Sequence, residues 1–311
     1  MTDSKVGHDV LRAASILQHG GIVALPTETV YGLGALARDQ NAVTRIFEAK
    51  NRPTDHPLIV HVASVDAARE WSSEWPAVAE LLTSEFWPGP LTIIVRRAAF
   101  VSDQVTGGQD TVALRVPDHP MTLELLNLVG DGVAAPSANR FGHVSPTSAQ
   151  HVVDDLGDRV DYVLDGGPCH VGLESTIVDC TVDPPRVLRP GGVTSERIRA
   201  IVDQGDHTTS TVRAPGMLAS HYAPMCRLHL LEAEHAVDSI DVSSRTRLVD
   251  ASDDPIGFAR DMYSLMRRAD EEGVEDLYVR MPAPVGIGVA IRDRLTKAAH
   301  RDADNEAEKS G

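Results

Sequence analysis

Segments with the pattern of buried strands alternate with segments of helical periodicity along most of this chain of 311 residues. Apolar residues recur at helical spacing from Val10 to Leu17, after Asp9 as a candidate N-cap, and the apolar run GIVALPT follows. The alternation continues through NAVTRIFEAK, PLIVHVAS, LTIIVRR and TVALRVP. Strands that alternate with helices favour a layered α/β fold. Two strand-like runs in succession, ESTIVDCT and RVLRPGG, indicate a mixed rather than purely parallel sheet.

Other local patterns give more specific expectations for this part of the chain. Gly32 and Gly34 in VYGLGA indicate a glycine-rich turn. Residues 66 to 86 are expected to be mostly helical, with one break at a proline. Ser145 and Thr147 precede the helical run TSAQHVVDDL and are candidate caps for it.

A change in composition after residue 203 divides the chain. The pattern predicts a large α/β domain over 8–203, a polar linker over 204–225, a small α/β domain over 226–300 and a disordered tail over 301–311. In the small domain, RLHLLEA, RTRLVDA and DLYVRMP are expected strands, and PIGFARDMYSLMRRADEEG is an amphipathic helix. The glycines of VGIGVA fit either a phosphate-binding helix start or close strand–helix packing.

The acidic charge of the chain limits the partners that it can bind. Its 29 Lys and Arg residues against 45 Asp and Glu residues give a formal net charge of -16. This charge argues against a broad nucleic-acid-binding face, although not against a local basic pocket. The N-terminus lacks the pattern of a signal peptide, and no segment is long and apolar enough to span a bilayer. The three cysteines have no CxxC spacing, so a reducing cytoplasm is expected rather than a disulfide scaffold.

Common catalytic motifs are missing from the sequence. GLGALA does not have the spacing of a dinucleotide-binding fingerprint, and no Walker loop, HExxH motif or GxSxG elbow occurs. Cys169 in GGPCHVG fits either a nucleophile or metal ligand beside His170, or a small residue in a turn.

Polar and cationic side chains collect at the ends of the expected strands. Lys50 and Arg52 follow a helix, where they fit either a solvated helix end or a site for a polyanion such as a triphosphate. Ligands of open α/β sheets bind beyond the ends of the strands. Four further residues with hydroxyl, amide or guanidinium groups are expected at strand ends or in the loops that follow them. Together with Lys50 and Arg52, these four residues favour an anion site over a solvated helix end. These further residues are Ser137, Asn139, Ser145 and Arg189.

A second group of residues fits a small polar ligand. Arg115 lies within the apolar run VALRVP, where it fits either a structural ion pair, an edge-strand arginine or a clamp for a ligand carboxylate. His61 in LIVHV is expected to be a core histidine rather than a catalytic base. Thr29 and Ser175 could each contact a ligand or bond to the backbone.

With these residues identified, the chain resembles the YrdC-type threonylcarbamoyl-AMP synthases in their long, two-domain form. The matching runs are PTETVYGLGA, IFEAKNRPTDHPLIVHV, WPGPLT, TVALRVPDHP, APSAN, DGG, GLESTIVD and LRPGG, spread over residues 20 to 193. APGMLASHYAP, RDMYSLMRRADEEG and GIGVAIRDRL are similar to the hinge and C-terminal domain of the long form. The resemblance implies a YrdC-like twisted mixed sheet with flanking helices, joined by a linker to a small Rossmann-like α/β domain.

The resemblance also implies the activity. Members of the family make L-threonylcarbamoyl-AMP from L-threonine, bicarbonate or CO2 and ATP, release pyrophosphate, and supply the threonylcarbamoyladenosine modification of tRNA. A cytoplasmic enzyme is implied, with Mg2+ held by the ATP phosphates, no metal ligands from side chains and a downstream tRNA threonylcarbamoyl-transfer complex. No membrane contact and no stable binding of nucleic acid are expected. The alternatives are an RNA-binding module and a carbamoyltransferase that uses carbamoyl phosphate.

The site residues follow from the matching motifs. Lys50 and Arg52 would be the catalytic cations. The family often has basic residues before the His-Tyr pair of the linker, where this chain has Leu218, Ala219 and Ser220. The implied ATP-binding residues are Lys50, Arg52, Thr111, Ser137, Asn139, Ser145, Arg189 and Tyr222, and the implied threonine-binding residues are Thr29, His61, Arg115 and Ser175.

Overall fold

The computed structural model describes residues 5–203, 211–216, 222–232, 243 and 245–300. In this part of the chain the strands form two sheets, one of 11 strands and one of three. The strands of the large sheet are β1 (Val6–Gly7), β2 (Val23–Leu25), β3 (Gly32–Leu36), β4 (Ile59–His61), β5 (Ser72–Glu74), β6 (Leu91–Arg97), β7 (Thr111–Arg115), β8 (Val133–Ala134), β9 (Tyr162–Leu164), β10 (Thr176–Asp179) and β11 (Arg186–Arg189). The expected mixed α/β fold is confirmed.

Helices accompany the large sheet and separate most of its strands in sequence. They are α1 (Val10–Gln18), α2 (Gln40–Lys50), α3 (Val65–Glu70), α4 (Ala77–Phe86), α5 (Asp103–Thr106), α6 (Pro120–Val129), α7 (Ala149–Leu156) and α8 (Ser195–Arg199), with a 3-10 turn at Gly157–Arg159. The Asp9 side chain accepts a hydrogen bond from the Arg12 amide and caps α1, as its sequence predicts.

The order of the large sheet is β1-β9-β2-β3-β8-β4-β7-β6-β10-β11, with β5 beside β6. Strand β4 runs parallel to β7, and β10 runs parallel to β6 but antiparallel to β11. The antiparallel pair β10–β11 confirms that the sheet is mixed. Because β4 and β7 are parallel, the side chains at their carboxyl ends come to the same edge.

Two local expectations are wrong, and a third is confirmed with one addition. Gly32–Leu36 is a strand rather than a turn, because it pairs with β2 on one side and with β8 on the other. Residues 66 to 86 are mostly helical, as expected, and the break beside Pro76 contains a short strand, Ser72–Glu74, that pairs with β6. Helix α7 is capped by Ser148, which accepts a bond from the His151 amide, and neither Ser145 nor Thr147 is the cap.

The small sheet consists of three parallel strands in the order β12-β14-β13. Its elements are β12 (Arg227–Leu231), β13 (Thr246–Asp250), α9 (Pro255–Glu271), β14 (Asp276–Arg280) and α10 (Ile287–Ala299). At the start of α10 the Gly286 amide donates to Glu196 Oε1 at 3.1 Å. A Cβ at Gly288 would lie 2.1 Å from the Ala283 carbonyl oxygen. Close packing therefore explains Gly288, whereas Gly286 has open space around it and a φ of +56°. The helix start already has a carboxylate partner in Glu196.

The two sheets are joined by a shared hydrophobic cluster. Val30, Val144 and Leu173 of the large unit belong to the same cluster as Phe258 and Met262 of α9. Among the described residues, no helix has the length and apolar character that crossing a membrane requires. The expected domain boundaries stay predictions, because residues 204–210 and 217–221 of the linker and 301–311 of the tail lie outside the described residues.

Candidate active site

A cavity lies at the edge of the large sheet where β4 and β7 end. Three guanidinium side chains from distant parts of the chain, Arg52, Arg115 and Arg189, contribute to its wall. The described lining residues are Thr27, Thr29, Val30, Gly32, Arg52, Ile59, His61, Arg115, Ala135, Pro136, Ser137, Glu174, Ser175, Arg189, Pro215, Gly216 and Tyr222.

His61 and Arg115 lie side by side because they are paired residues at the ends of two parallel strands. Burial, and then the positive charge of Arg115, lowers the pKa of His61 to about 3. His61 is therefore neutral near pH 7. Its Nδ1 is buried and has no hydrogen-bond partner within the described structure. It lines the cavity as a neutral polar group, as expected for a histidine that is not a general base.

Arg115 forms a buried ion pair. Its Nη2 donates to Glu28 Oε1 at 2.5 Å, and its Nε donates to the Gly89 carbonyl at 3.2 Å. The second oxygen of Glu28 accepts from the Asp118 amide at 3.1 Å. These two bonds use two of the five N–H donors of the guanidinium. The structural ion pair expected for Arg115 is present, and the residue lines the cavity at the same time.

Arg189 holds two segments of the wall together. Its Nη2 donates to the carbonyl and the hydroxyl of Ser175, at 2.9 and 3.1 Å. Its Nη1 donates to the carbonyl of Pro215 in the linker at 3.0 Å. The Ser175 hydroxyl also lies 2.7 Å from Thr92 Oγ1. Arg189 and Ser175 thus form one hydrogen-bonded unit within the wall.

Thr29 presents a hydroxyl whose proton is already used. The hydroxyl of Thr27 donates its proton to the Val30 carbonyl at 2.6 Å, so the 2.8 Å contact between the two threonines requires Thr29 to donate. The Thr29 oxygen can then accept a hydrogen bond from a ligand. An ammonium or amine is the kind of group that it suits.

Lys50 and Arg52 occupy different positions. The Lys50 ammonium is buried and donates to the carbonyl groups of Ser137 and Asn139, both at 2.5 Å. Burial and the charge of Arg52 lower the pKa of Lys50. Arg52 lines the cavity, donates to the Pro57 carbonyl at 3.1 Å, and has a buried Nε without a hydrogen-bond partner among the described residues. Lys50 does not line the cavity, but it fixes the loop that places Ser137 there.

Of the other expected ATP-binding residues, Thr111, Asn139 and Ser145 do not line the cavity as Ser137 does. Thr111 begins β7 and pairs with Arg96. Asn139 Nδ2 donates to two loop carbonyls, and its Oδ1 is buried with no partner in the described structure. Their contacts with ATP stay predictions.

Ser145 reaches the cavity wall through Glu174. Its hydroxyl donates to Glu174 Oε1 at 2.6 Å, which uses its one proton. It can therefore accept a hydrogen bond from a ligand but cannot donate one to a phosphate while this bond is present.

The described linker residues close one side of the cavity. Pro215, Gly216 and Tyr222 all line it, and Lys297 of α10 donates to the Gly216 carbonyl at 2.8 Å. Tyr222 is buried, and its ring stacks on Tyr263 with 5.7 Å between ring centres. The expected difference at Leu218, Ala219 and Ser220 lies outside the described residues.

Cys169 does not have the properties of a nucleophile. Burial raises the pKa of its thiol to about 12, so it is protonated at neutral pH. The interpretation as a small residue in a turn agrees with this environment. In the described part of the chain, no group of three or more His, Cys, Asp or Glu side chains is arranged to hold a metal ion.

Sequence reasoning missed the two carboxylates of the site. Glu28 lies in PTETVYG and Glu174 in GLESTIVD, two runs that also contain candidate site residues. Their positions near strand ends, each directly before a candidate site residue (Thr29 and Ser175), were a usable signal. Arg294, which pairs with Glu174, had no comparable signal because it lies in an ordinary amphipathic helix.

The chain was compared with known proteins. Residues 15–191 match the Sua5, YciO and YrdC family model described as "Telomere recombination", and residues 193–300 match "Threonylcarbamoyl-AMP synthase, C-terminal domain". The threonylcarbamoyl-AMP synthase of Pyrococcus abyssi is 38% identical and covers 92% of this chain and 93% of its own length. That of Bacillus subtilis is 39% identical and covers 93% and 92%.

A solved structure agrees with these matches. The crystal structure of P. abyssi Sua5 complexed with L-threonine is 37% identical, has a TM-score of 0.85, and covers 93% of this chain and 94% of its own. These relatives do not favour an RNA-binding module or a carbamoyl phosphate-dependent transferase. The chain therefore belongs to the two-domain threonylcarbamoyl-AMP synthases of the Sua5 and YrdC family.

Proposed function

We propose that this chain synthesises L-threonylcarbamoyl-AMP from L-threonine, bicarbonate or CO2 and ATP, with release of pyrophosphate. The observation that supports it most directly is the convergence of Arg52, Arg115 and Arg189 on one cavity, in a chain of this family. The product serves the threonylcarbamoyladenosine modification of tRNA, through a downstream transfer complex. A reducing, cytoplasmic location fits three cysteines without CxxC spacing.

The chemistry needs no protein nucleophile. The amine of threonine adds to CO2 and loses a proton, which gives a carbamate anion. A carbamate oxygen then forms a bond to the α-phosphorus of ATP, and the bond from that phosphorus to the bridging oxygen of pyrophosphate breaks. Both reactants are anions, so catalysis depends on positioning them and on neutralising their charge.

The residues of the cavity supply these two effects. Arg115, oriented by Glu28, binds the carboxylate of threonine through donors that its two present bonds do not use. The Thr29 oxygen accepts from the amine, and neutral His61 lies beside Arg115 without adding charge. Arg52 and Arg189 face the triphosphate. Mg2+, held by the phosphates of ATP, would reduce the remaining repulsion.

The binding pocket must also select threonine over valine, which is close to it in size. A site that hydrogen-bonds the substrate hydroxyl discriminates strongly, since valine would leave polar groups of the site unpaired. Several hydroxyls and the unpartnered Nδ1 of His61 are available for this contact.

Mass spectrometry of the reaction tests the proposal. The purified chain, given threonine, 13C-bicarbonate, Mg2+ and ATP, is expected to release pyrophosphate and to form a threonylcarbamoyl adenylate that contains the label. Omission of threonine is the control and should stop the release of pyrophosphate. Product that forms from carbamoyl phosphate but not from bicarbonate, or release of ADP and phosphate alone, would overturn the proposal.

A further inference from the structure

Arg294 connects the small C-terminal unit to the cavity. It lies on α10, its side chain has no exposed surface, and its Nε donates to Glu174 Oε2 at 2.8 Å. Its Nη2 donates to the Pro190 carbonyl at 3.0 Å, and its guanidinium carbon lies 5.3 Å from the centre of the Tyr222 ring. A cation of the C-terminal unit is thus placed directly behind the cavity wall.

Glu174 is the only carboxylate among the described residues that line the cavity. Burial alone would raise the pKa of this group, but the charges of Arg294 and Arg189 and the Ser145 hydroxyl lower it to about 2. The Tyr263 hydroxyl donates to it as well, at 2.9 Å from Oε2. An ionised carboxylate therefore faces a space that, in the proposed function, receives a triphosphate and a carbamate.

Negative and positive side chains alternate in a network that begins at this carboxylate and continues into the C-terminal unit. Glu174 pairs with Arg294, whose Nη1 donates to Asp293 Oδ2 at 2.5 Å, and Asp293 also accepts from Lys297 Nζ at 2.9 Å. Arg294 thus neutralises Glu174. The charge of Arg189 also acts on Glu174. Without Arg294, more of the Arg189 charge would be balanced by Glu174, and less of it would act on a bound anion.

We propose that Arg294 is a positioning residue for the nucleotide site: it neutralises Glu174 in the cavity wall, and the C-terminal unit thereby gives the site the net positive charge that the binding of ATP requires. This inference rests on the proposed function only for the identity of the ligand. The plain alternative is that the ion pair only holds the two units together.

Four variants separate these roles, with ATP affinity measured by calorimetry at mildly alkaline pH. Arg294→Met is expected to weaken ATP binding by about 10-fold or more, as for the loss of one partner of a buried charge pair. Glu174→Gln/Arg294→Met should regain most of this affinity, because it removes the repelling carboxylate. Arg294→Lys, which keeps the charge, should bind ATP within about 3-fold of the unchanged chain.

Arg292→Met is the matched control. Arg292 lies on the same helix and bonds to Glu232 and to the Pro282 carbonyl within the C-terminal unit. Its removal should leave the affinity for ATP unchanged. Thermal unfolding of every variant shows whether stability and affinity change together.

The double variant decides the outcome. If Glu174→Gln/Arg294→Met binds ATP as poorly as Arg294→Met, the pair is structural and the inference is wrong. Should Arg294→Met not fold, the double variant still tests the inference, because its affinity for ATP is expected to lie within about 3-fold of that of the unchanged chain, and a loss of about 10-fold or more would overturn it. Because the affinity for ATP is measured directly, this test does not depend on whether the chain forms the threonylcarbamoyl product.

Discussion

Glu28 holds Arg115 in place from inside the protein. The 2.5 Å bond between Glu28 Oε1 and Arg115 Nη2 joins two side chains that are 1% and 4% exposed. The other oxygen of the carboxylate is fixed by the Asp118 amide. The guanidinium therefore has one orientation at the edge of the cavity, which suits a group that must meet a planar carboxylate on two N–H donors.

Replacement of Glu28 should impair the binding of threonine more than that of ATP. Glu28→Gln is expected to raise KM for threonine by about 10-fold and to lower stability by about 3 kcal/mol, because a buried guanidinium loses its charged partner. Steady-state release of pyrophosphate at varied threonine and varied ATP measures the two effects. Glu48→Gln, at an exposed position on α2, is the control. Equal changes in both KM values would contradict the orienting role.

Lys50 and Arg52 should respond differently to substitution. Lys50→Met leaves the buried carbonyls of Ser137 and Asn139 without their donor, so a loss of about 2 to 4 kcal/mol in the free energy of unfolding is expected. Arg52→Met should affect ATP affinity more than stability, since within the described residues its guanidinium makes a single hydrogen bond, to the Pro57 carbonyl. Urea unfolding and ATP titration measure both quantities. A stable Lys50→Met protein would show that the loop does not depend on this ammonium.

His61 should make the protein less stable in mild acid. Its pKa is about 3 in the folded chain against an ordinary value of 6.5, so the unfolded state binds a proton more readily. The stability that neutral His61 provides is complete above pH 6.5 and is lost as the pH falls from there toward about 3. By pH 5 the loss amounts to roughly 2 kcal/mol.

His61→Gln tests this pH dependence. His151, whose pKa is lowered to about 4 by burial and then by Arg267, contributes in the same direction but is present in both proteins. The difference in unfolding free energy between the two proteins should therefore shrink as the pH falls from 7.5 to 5, by roughly the same 2 kcal/mol. A difference that stays constant over this range would assign the acid sensitivity to other groups.

A side chain at Gly216 should disturb the linker wall of the cavity. The φ of Gly216 is +81°, and a Cβ there would lie 2.5 Å from the Tyr222 hydroxyl and 3.1 Å from Arg189 Cδ. Gly216→Ala is therefore expected to lower kcat/KM by about 10-fold or more, since small displacements of positioning groups are costly. Gly130→Ala is the control, because Gly130 has a φ of +70° but open space around it. If both variants lose the same activity, backbone strain rather than the contact is responsible.

Much of the site could be predicted from the chain alone. His61 and Arg115 were selected as polar residues within two apolar, strand-like runs. The structure shows that these strands are parallel neighbours, which brings the two side chains to one edge of the sheet. The Asp9 cap of α1 was predictable, because a cap depends on residues within one turn. The strand at Gly32–Leu36 was not, since its pairing with β2 and β8 overrides a local pattern that favours a turn.

The sequence by itself determined the α/β class, the family and the polar residues available for the site, because these follow from local periodicity and from motifs. Only the tertiary structure decided how the charges are paired. Arg115 pairs with Glu28, which is 87 residues away in the sequence, and Arg294 pairs with Glu174, which is 120 residues away. No local pattern specifies such partners, since strand order and the packing of α10 bring them together. The electrostatic character of the cavity is therefore a property of the folded chain.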